Sequence, residues 1–290
     1  MPGNSAKMLE KASSLACDQI LLDLEDSVAP ESKLGARKNI SSALKNHTWQ
    51  APTLSLRINA TDTEFCHDDI IQIVTQANEN LDTIVISKTR SARDVGFVEI
   101  LLAQLEKKLG LSKTIGIECL IEDVEGLMKV EEIAASSARL EALIFGMGDY
   151  AASQGMRIQT IGGGGTDFGD IWHYPRSKIT IACKANGLDA IDGPYADFND
   201  LPYLESDCEK ASILGMNGKW AIHPSQIEIN QKAFSYTNLE VEKARAQLAA
   251  YQEAEKKGLG VVKLDNVMID AASVKLIKKL LEKAELMKIY

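Results

Sequence analysis

Seven short apolar segments of this chain end on polar residues that could do chemistry together. The first gives Asp23-Leu24-Glu25-Asp26-Ser27. The next two give Arg57 with Asn59, then Lys88. Glu118 ends Thr114-Ile-Gly-Ile-Glu118, Asp149 follows Phe145-Gly146-Met147-Gly148, and Asp192 and His223 end the last two. Carboxylates gathered in one place repel each other. A divalent cation makes them stable together, and hard oxygen donors select Mg²⁺ or Mn²⁺ over zinc. Mg²⁺ takes one or two protein carboxylates and completes its octahedron with water and substrate oxygens. Glu118 and Asp149 form the best pair. Gly146 and Gly148 flank the second, so the backbone N–H groups of 146–148 can approach a ligand. The alternative is that both are separate, salt-bridged surface carboxylates.

Arg57 beside such a metal would clamp a carboxylate in bidentate fashion. Metal plus arginine suits a 2-oxo acid. It also suits an enolate, whose developing charge both groups would stabilise. The competing role for Arg57 is a structural ion pair with Glu25 or Asp26. The remaining candidates are less chemical. His223, in Ala-Ile-His-Pro, reads as a hydrogen-bonded structural group. His47, His67 and His173 have no zinc-binding spacing. Cys119 follows Glu118, so strand alternation turns it away from the site. Gly162–Gly165 matches neither G-x-G-x-x-G nor G-x-x-x-x-G-K-[ST] and reads as a mobile loop over the site.

These residues need a frame that brings strand ends together. The strand candidates are 19–23, 53–58, 83–87, 114–118, 141–145, 188–191 and 219–222. Helical patterns lie between most of them, as at 95–109, 123–135 and 175–186. This alternation predicts parallel strands joined by right-handed crossovers. In a parallel α/β barrel the carboxyl ends of the strands carry the site. Seven strands are one short of a closed barrel, and a strand just upstream of Met1 would complete eight. The fold expected is therefore a TIM-type (β/α)8 barrel over residues 1–235. Residues 236–290 form a C-terminal helical lid or arm: a long charged helix over 239–257, a short hairpin over 261–269 and a helix over 271–287. That tail is expected to be too small for a core of its own.

Composition narrows the function classes. The 290 residues are 45% apolar and 25% charged, ordinary for a globular protein and unlike a disordered or low-complexity chain. The net charge of −9 disfavours nucleic acid, and no concentrated basic patch offsets it. No secretory signal and no membrane-length apolar run are present. Five cysteines without C-x-x-C spacing suit free thiols in a reducing cytoplasm. The glycosylation-type triplets at Asn39 and Asn46 read as chance matches.

An ordered set of motifs is familiar. Met1-Pro2-Gly3-Asn4 precedes Met8-Leu9-Glu10-Lys11-Ala12. Leu22-Asp23-Leu24-Glu25-Asp26-Ser27-Val28-Ala29-Pro30 follows, with Lys33 and Ala36-Arg37. Then come Leu56-Arg57-Ile58-Asn59, Glu118, Phe145-Gly146 with Asp149-Tyr150, Asp192-Gly193-Pro194 and Gly218-Lys219 with Ile222-His223-Pro224-Ser225-Gln226. The chain resembles the citrate lyase β-subunit-like family of the HpcH/HpaI aldolase group, and within it the malyl-CoA and citramalyl-CoA lyases. The resemblance implies a barrel with Mg²⁺ (or Mn²⁺) held by Glu118 and Asp149. Arg57 would be on the substrate carboxylate, Gly146, Met147 and Gly148 at the substrate, and Glu25 and Asp26 behind them. It implies cleavage of a 3-hydroxyacyl-CoA to a 2-oxo acid and an acyl-CoA through a stabilised enolate.

Val267-Met268-Ile269-Asp270 resembles a tail motif of the acyl-CoA lyases. It implies that Asp270 is an acid/base reaching the site of an adjacent subunit, hence a trimer or hexamer. The sequence departs from that motif in having Ala271-Ala272 where a proline commonly follows. Lys33, Arg37 and Lys88 are candidate partners for CoA phosphates. The alternatives are a lyase taking its thioester from an acyl carrier protein, a metal aldolase acting on free hydroxy-oxo acids, and a catalytically weak homologue that binds CoA esters or 2-oxo acids.

Overall fold

The computed structural model describes residues 1–163 and 169–289. The chain divides into two compact units, Met1–Asn230 and Gln231–Tyr290.

The first unit is an α/β fold with one parallel sheet of seven strands in sequential order. They are β1 (Gln19–Asp23), β2 (Thr53–Ile58), β3 (Thr83–Ile86), β4 (Gly116–Ile121), β5 (Leu140–Phe145), β6 (Asp189–Asp192) and β7 (Gly218–Lys219). Every residue of β3 and β4 is buried. Strands buried on both faces are what a parallel sheet covered by crossover helices requires. The sheet curls. Val85, Leu120 and Ile144 cluster with Leu21, Ile191 and Trp220, so side chains from β1, from β3 to β6 and from just beyond β7 meet inside. Seven strands are present among the described residues rather than the eight of a closed barrel. Pro2 makes an isolated parallel bridge to Asp23 of β1, with Asp23 N–H donating to Met1 C=O at 2.9 Å.

Two strand ends differ from the sequence reading, and both matter. β4 runs to Ile121, three residues past Glu118. A glutamate inside an otherwise apolar run looked like the strand's end, yet it is an inward-facing interior position. β7 holds only Gly218 and Lys219. His223 accordingly ends no strand; its side chain caps the 3-10 turn Pro224–Gln226.

Asp192 leaves the list of catalytic candidates for a physical reason. Arg176 and Lys219 both reach it: Arg176 Nε and Nη2 donate at 3.0 and 2.9 Å, and Lys219 Nζ donates at 2.6 Å. Asp207 accepts from the same two cations, and the four side chains are almost fully buried. Two cations and two anions balance each other, as buried charges must.

The second unit contains the helix Asn238–Lys256, a hairpin of β8 (Val262–Leu264) and β9 (Val267–Ile269), and the helix Ala271–Leu286. Asp265 and Asn266 both have φ near +50° to +60°, the two-residue turn that matches strand twist. This unit does own a small core: Ala244, Tyr251, Ile269, Val274 and Ile277 are buried together. The amphipathic helices and the hairpin supply enough apolar surface between them. Among the described residues no helix is long and apolar enough to cross a membrane.

Candidate active site

The residues at the carboxyl ends of β1 to β5 form one connected polar cluster. It begins at β1. Asp23 and Arg57 are register partners on β1 and β2. Arg57 Nε and Nη2 donate to the two oxygens of Asp23 at 2.7 and 2.6 Å, a bidentate pair. Glu25 N–H and the Ser27 hydroxyl also donate to Asp23. Despite its burial, the Asp23 carboxyl is held down at about 2, with the arginine as the main stabilising partner. Arg57 Nη1 reaches Glu25 Oε2 at 3.2 Å. Its guanidinium lies 5.9 Å from the ring centroid of Trp220, a cation–π approach. These partners leave one N–H on each of Nη1 and Nη2 free for a bound carboxylate. The sequence reading named Glu25 or Asp26 as a structural partner; Glu25 is one, but the principal partner is Asp23.

Glu25 bridges onward. Its Oε1 accepts from Lys88 Nζ at 2.6 Å, and Asp26 Oδ1 accepts from the same ammonium at 3.2 Å. Lys88 therefore carries no free charge for a CoA phosphate. The other two candidates are buried and engaged elsewhere. Lys33 Nζ donates to the carbonyls of Leu24 and Glu25 at 2.8 and 3.2 Å, and Arg37 Nε to Asp69 at 2.7 Å. Asn59 is likewise structural, donating to Leu24 C=O and Asp69.

Glu118 is not part of this cluster. Its Oε1 accepts from Thr83 at 2.6 Å, Gln19 at 2.7 Å and Ser55 at 3.3 Å. Gln19 and Thr83 are the first residues of β1 and β3, so Glu118 sits toward the amino ends of the strands, beneath the apolar layer of Val85, Leu120 and Ile144. Burial raises its pKa, and the three donors oppose the rise. Alternation places Glu118, Leu120 and Glu122 on the same inward face. Four residues along a strand span roughly 13 Å, so Glu118 and Glu122 cannot share an ion.

Glu122 is the residue that the sequence reading missed. It stands one position past β4, where the carboxyl-end rule should have found it: it is the first polar residue after the apolar run Cys119–Ile121. Glu122 Oε1 accepts from Lys88 N–H at 2.7 Å. Its pKa is pushed well above the usual carboxylate range, mainly by burial, with Asp149 and Glu25 adding to the rise. Arg57 and the Lys88 N–H counter this only in part.

Asp149 lies in the first turn of the helix Met147–Gln154, where the helix dipole favours an anion. The structure thus brings Asp149, Arg57 and Glu25 within electrostatic range of Glu122, while Glu118 is held among Gln19, Ser55 and Thr83. Among the described residues no group of three or more His, Cys, Asp or Glu is arranged to hold a metal. A two-carboxylate site is what Mg²⁺ uses when water and substrate complete its shell. A buried glutamate with too little compensating charge, facing an aspartate, fits such an ion.

The neighbouring glycine is a matter of room. A Cβ on Gly146 would lie 2.3 Å from Glu122 Cβ and 2.7 Å from its Oε2. Gly146 N–H is already spent on Ile121 C=O at 3.0 Å, so it is no substrate donor. Met147 and Gly148 begin the helix, where N–H groups lack intrahelical acceptors. Gly146→Ala is expected to lower turnover by roughly 10- to 100-fold through displacement of Glu122, with the fold retained. Steady-state kinetics beside a circular-dichroism melt check it.

Of the glycine loop, Gly164 and Gly165 lie outside the described residues. Gly162 has φ +78° and packs on Pro194 and Tyr195, and Ala196 N–H donates to Ile161 C=O at 3.0 Å. Cys119 is buried, and its thiol is pushed up to about 12 by that burial, consistent with an inert side chain. All five cysteines are free. Asp270, in the second unit, is exposed and caps the helix Ala271–Leu286, accepting from Ser273 N–H and Oγ at 2.8 and 2.9 Å.

Comparison with known proteins places the chain among named relatives. An L-malyl-CoA/beta-methylmalyl-CoA lyase of Cereibacter sphaeroides is 38% identical over 295 residues, covering 98% of this chain and 93% of the relative. A malyl-CoA/beta-methylmalyl-CoA/citramalyl-CoA lyase of Chloroflexus aurantiacus is 32% identical over 286 residues, covering 93% and 81%. A crystal structure of CitE from Mycobacterium tuberculosis in complex with magnesium and pyruvate is 26% identical with a TM-score of 0.65, covering 81% of this chain and 88% of that one. The family model described as HpcH/HpaI aldolase/citrate lyase matches residues 1–224. With the match spanning the whole curled sheet and its strand-end cluster, the chain belongs to the HpcH/HpaI aldolase/citrate lyase family.

Proposed function

We propose that this chain is a Mg²⁺-dependent carbon–carbon lyase. Its substrate is a short 3-hydroxyacyl-CoA of the malyl-CoA or citramalyl-CoA type, and its products are a 2-oxo acid and an acyl-CoA. One observation carries the reading: Arg57, with N–H donors beyond those that Asp23 and Glu25 take, lies in electrostatic range of the buried Glu122, whose charge it offsets only in part and which also feels Asp149. The names of the lyase relatives and the magnesium–pyruvate complex of the CitE neighbour support it. The sequential order of the seven parallel strands and the curl of their sheet support a TIM-type (β/α)8 barrel as the architecture.

Glu122 and Asp149 would hold the ion, with Mn²⁺ a workable substitute. When bound, it supplies positive charge to the oxygens of the 2-oxo acid portion as the C–C bond breaks. Arg57 binds that portion's carboxylate. Asp23 and Glu25 fix the guanidinium so that little reorganisation is needed at reaction. The N–H groups of Met147 and Gly148 are oriented donors at a helix start. Asp270 is the acid/base. In condensation its carboxylate takes the α-proton of the thioester and the new alkoxide gains a proton from solvent; in cleavage the 3-hydroxyl releases its proton to solvent as the C–C bond breaks, and the acid form of Asp270 returns one to the α-carbon, so no net proton is gained or lost. Hydrogen bonds from Ser273 hold its carboxyl below the usual carboxylate range, which favours the base form that condensation uses. Asp270 would be supplied by an adjacent copy in a homo-oligomer.

The test is direct. Purified protein with Mg²⁺ is incubated with malyl-CoA, citramalyl-CoA and related 3-hydroxyacyl-CoAs, with and without a chelator. Products are quantified by mass spectrometry. Chelator-sensitive release of glyoxylate or pyruvate with the matching acyl-CoA is expected. No cleavage by folded, metal-loaded protein would overturn the acyl-CoA reading and favour a carrier-protein thioester or a binding role.

A further inference from the structure

The geometry points to Lys88 as a positioning residue that joins the two halves of the site, an inference that rests on the lyase reading above. Lys88 is the second residue after β3 and has φ +49°. A non-glycine residue in the left-handed region is uncommon, and when one occurs it is mostly Asn or Asp. Such backbone is kept where the surroundings over-determine it, often at functional sites. Here the consequence is specific. The backbone N–H of Lys88 donates to Glu122 Oε1 at 2.7 Å. Its ammonium donates to Glu25 Oε1 at 2.6 Å and to Asp26 Oδ1 at 3.2 Å. The other oxygen of Glu25 lies 3.2 Å from Arg57 Nη1. A single residue thus anchors the metal-side carboxylate through its main chain and the substrate-side arginine through its side chain.

The chemistry of each arm differs. Lys88 N–H occupies Oε1 of Glu122 and leaves Oε2, which faces Gly146, for an ion. The ammonium shares the charge of Glu25. Without it, Glu25 would turn its whole charge on Arg57 and weaken the grip of Arg57 on a substrate carboxylate. Glycine would adopt φ +49° more easily but has no ammonium, and asparagine is too short to reach Glu25. A lysine at this backbone conformation is what both arms together require.

The two arms are separable by experiment. Mn²⁺ binding is followed by electron paramagnetic resonance, and pyruvate binding is measured on Mn²⁺-loaded protein. K88M and K88G keep the N–H and lose the ammonium. They are expected to bind Mn²⁺ within about twofold of the parent and pyruvate about tenfold more weakly. K88R should recover most of the pyruvate affinity. In turnover, KM should rise in K88M more than kcat falls. K88V also loses the ammonium, but a β-branched residue resists φ +49°. It should lose about tenfold in Mn²⁺ affinity as well.

Parent-like pyruvate binding by K88M would overturn the proposal. So would a parallel loss of Mn²⁺, pyruvate and thermal stability in K88M and K88G, which would mark a merely structural residue. Glu122→Gln separates the two readings. If that variant loses Mn²⁺ while K88M binds pyruvate like the parent, Lys88 alone is wrong. If Glu122→Gln keeps Mn²⁺, the metal assignment and the Glu122 arm fall together.

Discussion

Glu122→Gln abolishes Mn²⁺ binding and lowers turnover by roughly 10³-fold or more, while Glu118→Gln leaves metal binding at the parental level; this is the expected result. A bound divalent ion is worth several kcal/mol of charge stabilisation, which converts to a loss of this size. The contrast between the two variants is the informative part. The two glutamates are four residues apart at one alternation phase, Glu118 inside β4 and Glu122 one position past its end. The apolar layer containing Leu120 separates them, and only Glu122 has Asp149 and Arg57 in electrostatic range. Glu118 is instead satisfied by Gln19, Ser55 and Thr83. Mn²⁺ titration of both variants, with thermal melts to confirm folding, decides it. Metal loss in Glu118→Gln with retention in Glu122→Gln would reverse the assignment.

Asp270→Asn is expected to lower turnover by about 10²- to 10⁴-fold, the usual contribution of a general acid/base. Mn²⁺ affinity should not change. The substitution is clean because asparagine caps a helix about as well as aspartate. The bonds to Ser273 and the start of the helix Ala271–Leu286 are therefore kept. A rate loss reports lost proton transfer, not a loosened second unit. Mixing this variant with Glu122→Gln tests where Asp270 acts. If it serves a neighbouring copy, mixed oligomers regain activity, roughly a quarter of the parental value by random assortment around a closed ring. If it serves its own chain, the mixture stays inactive. Parental activity in Asp270→Asn alone would remove the acid/base role.

The strand-and-helix alternation determined the parallel sheet, because apolar runs of strand length separated by helical periodicity admit few other folds. The short segment over 261–269 and the helical spacing of apolar residues in the tail likewise marked the hairpin and final helix. The residue types determined the chemistry: convergent carboxylates, one arginine and flanking glycines. Tertiary structure alone decided which carboxylate belongs to which layer. Glu118 and Glu122 are of the same type and at the same alternation phase; the apolar run Cys119–Ile121 hinted that the strand continues past Glu118, and the packing of the layers showed that it does. Asp192 also ended a strand among the convergent carboxylates, but Arg176 and Lys219, from distant segments, neutralise it. The principal partner of Arg57 was settled by the register between β1 and β2, which sets Asp23 beside it. Charges are placed by sequence, but whether a buried charge is spent or left for a ligand depends on what long-range packing sets against it.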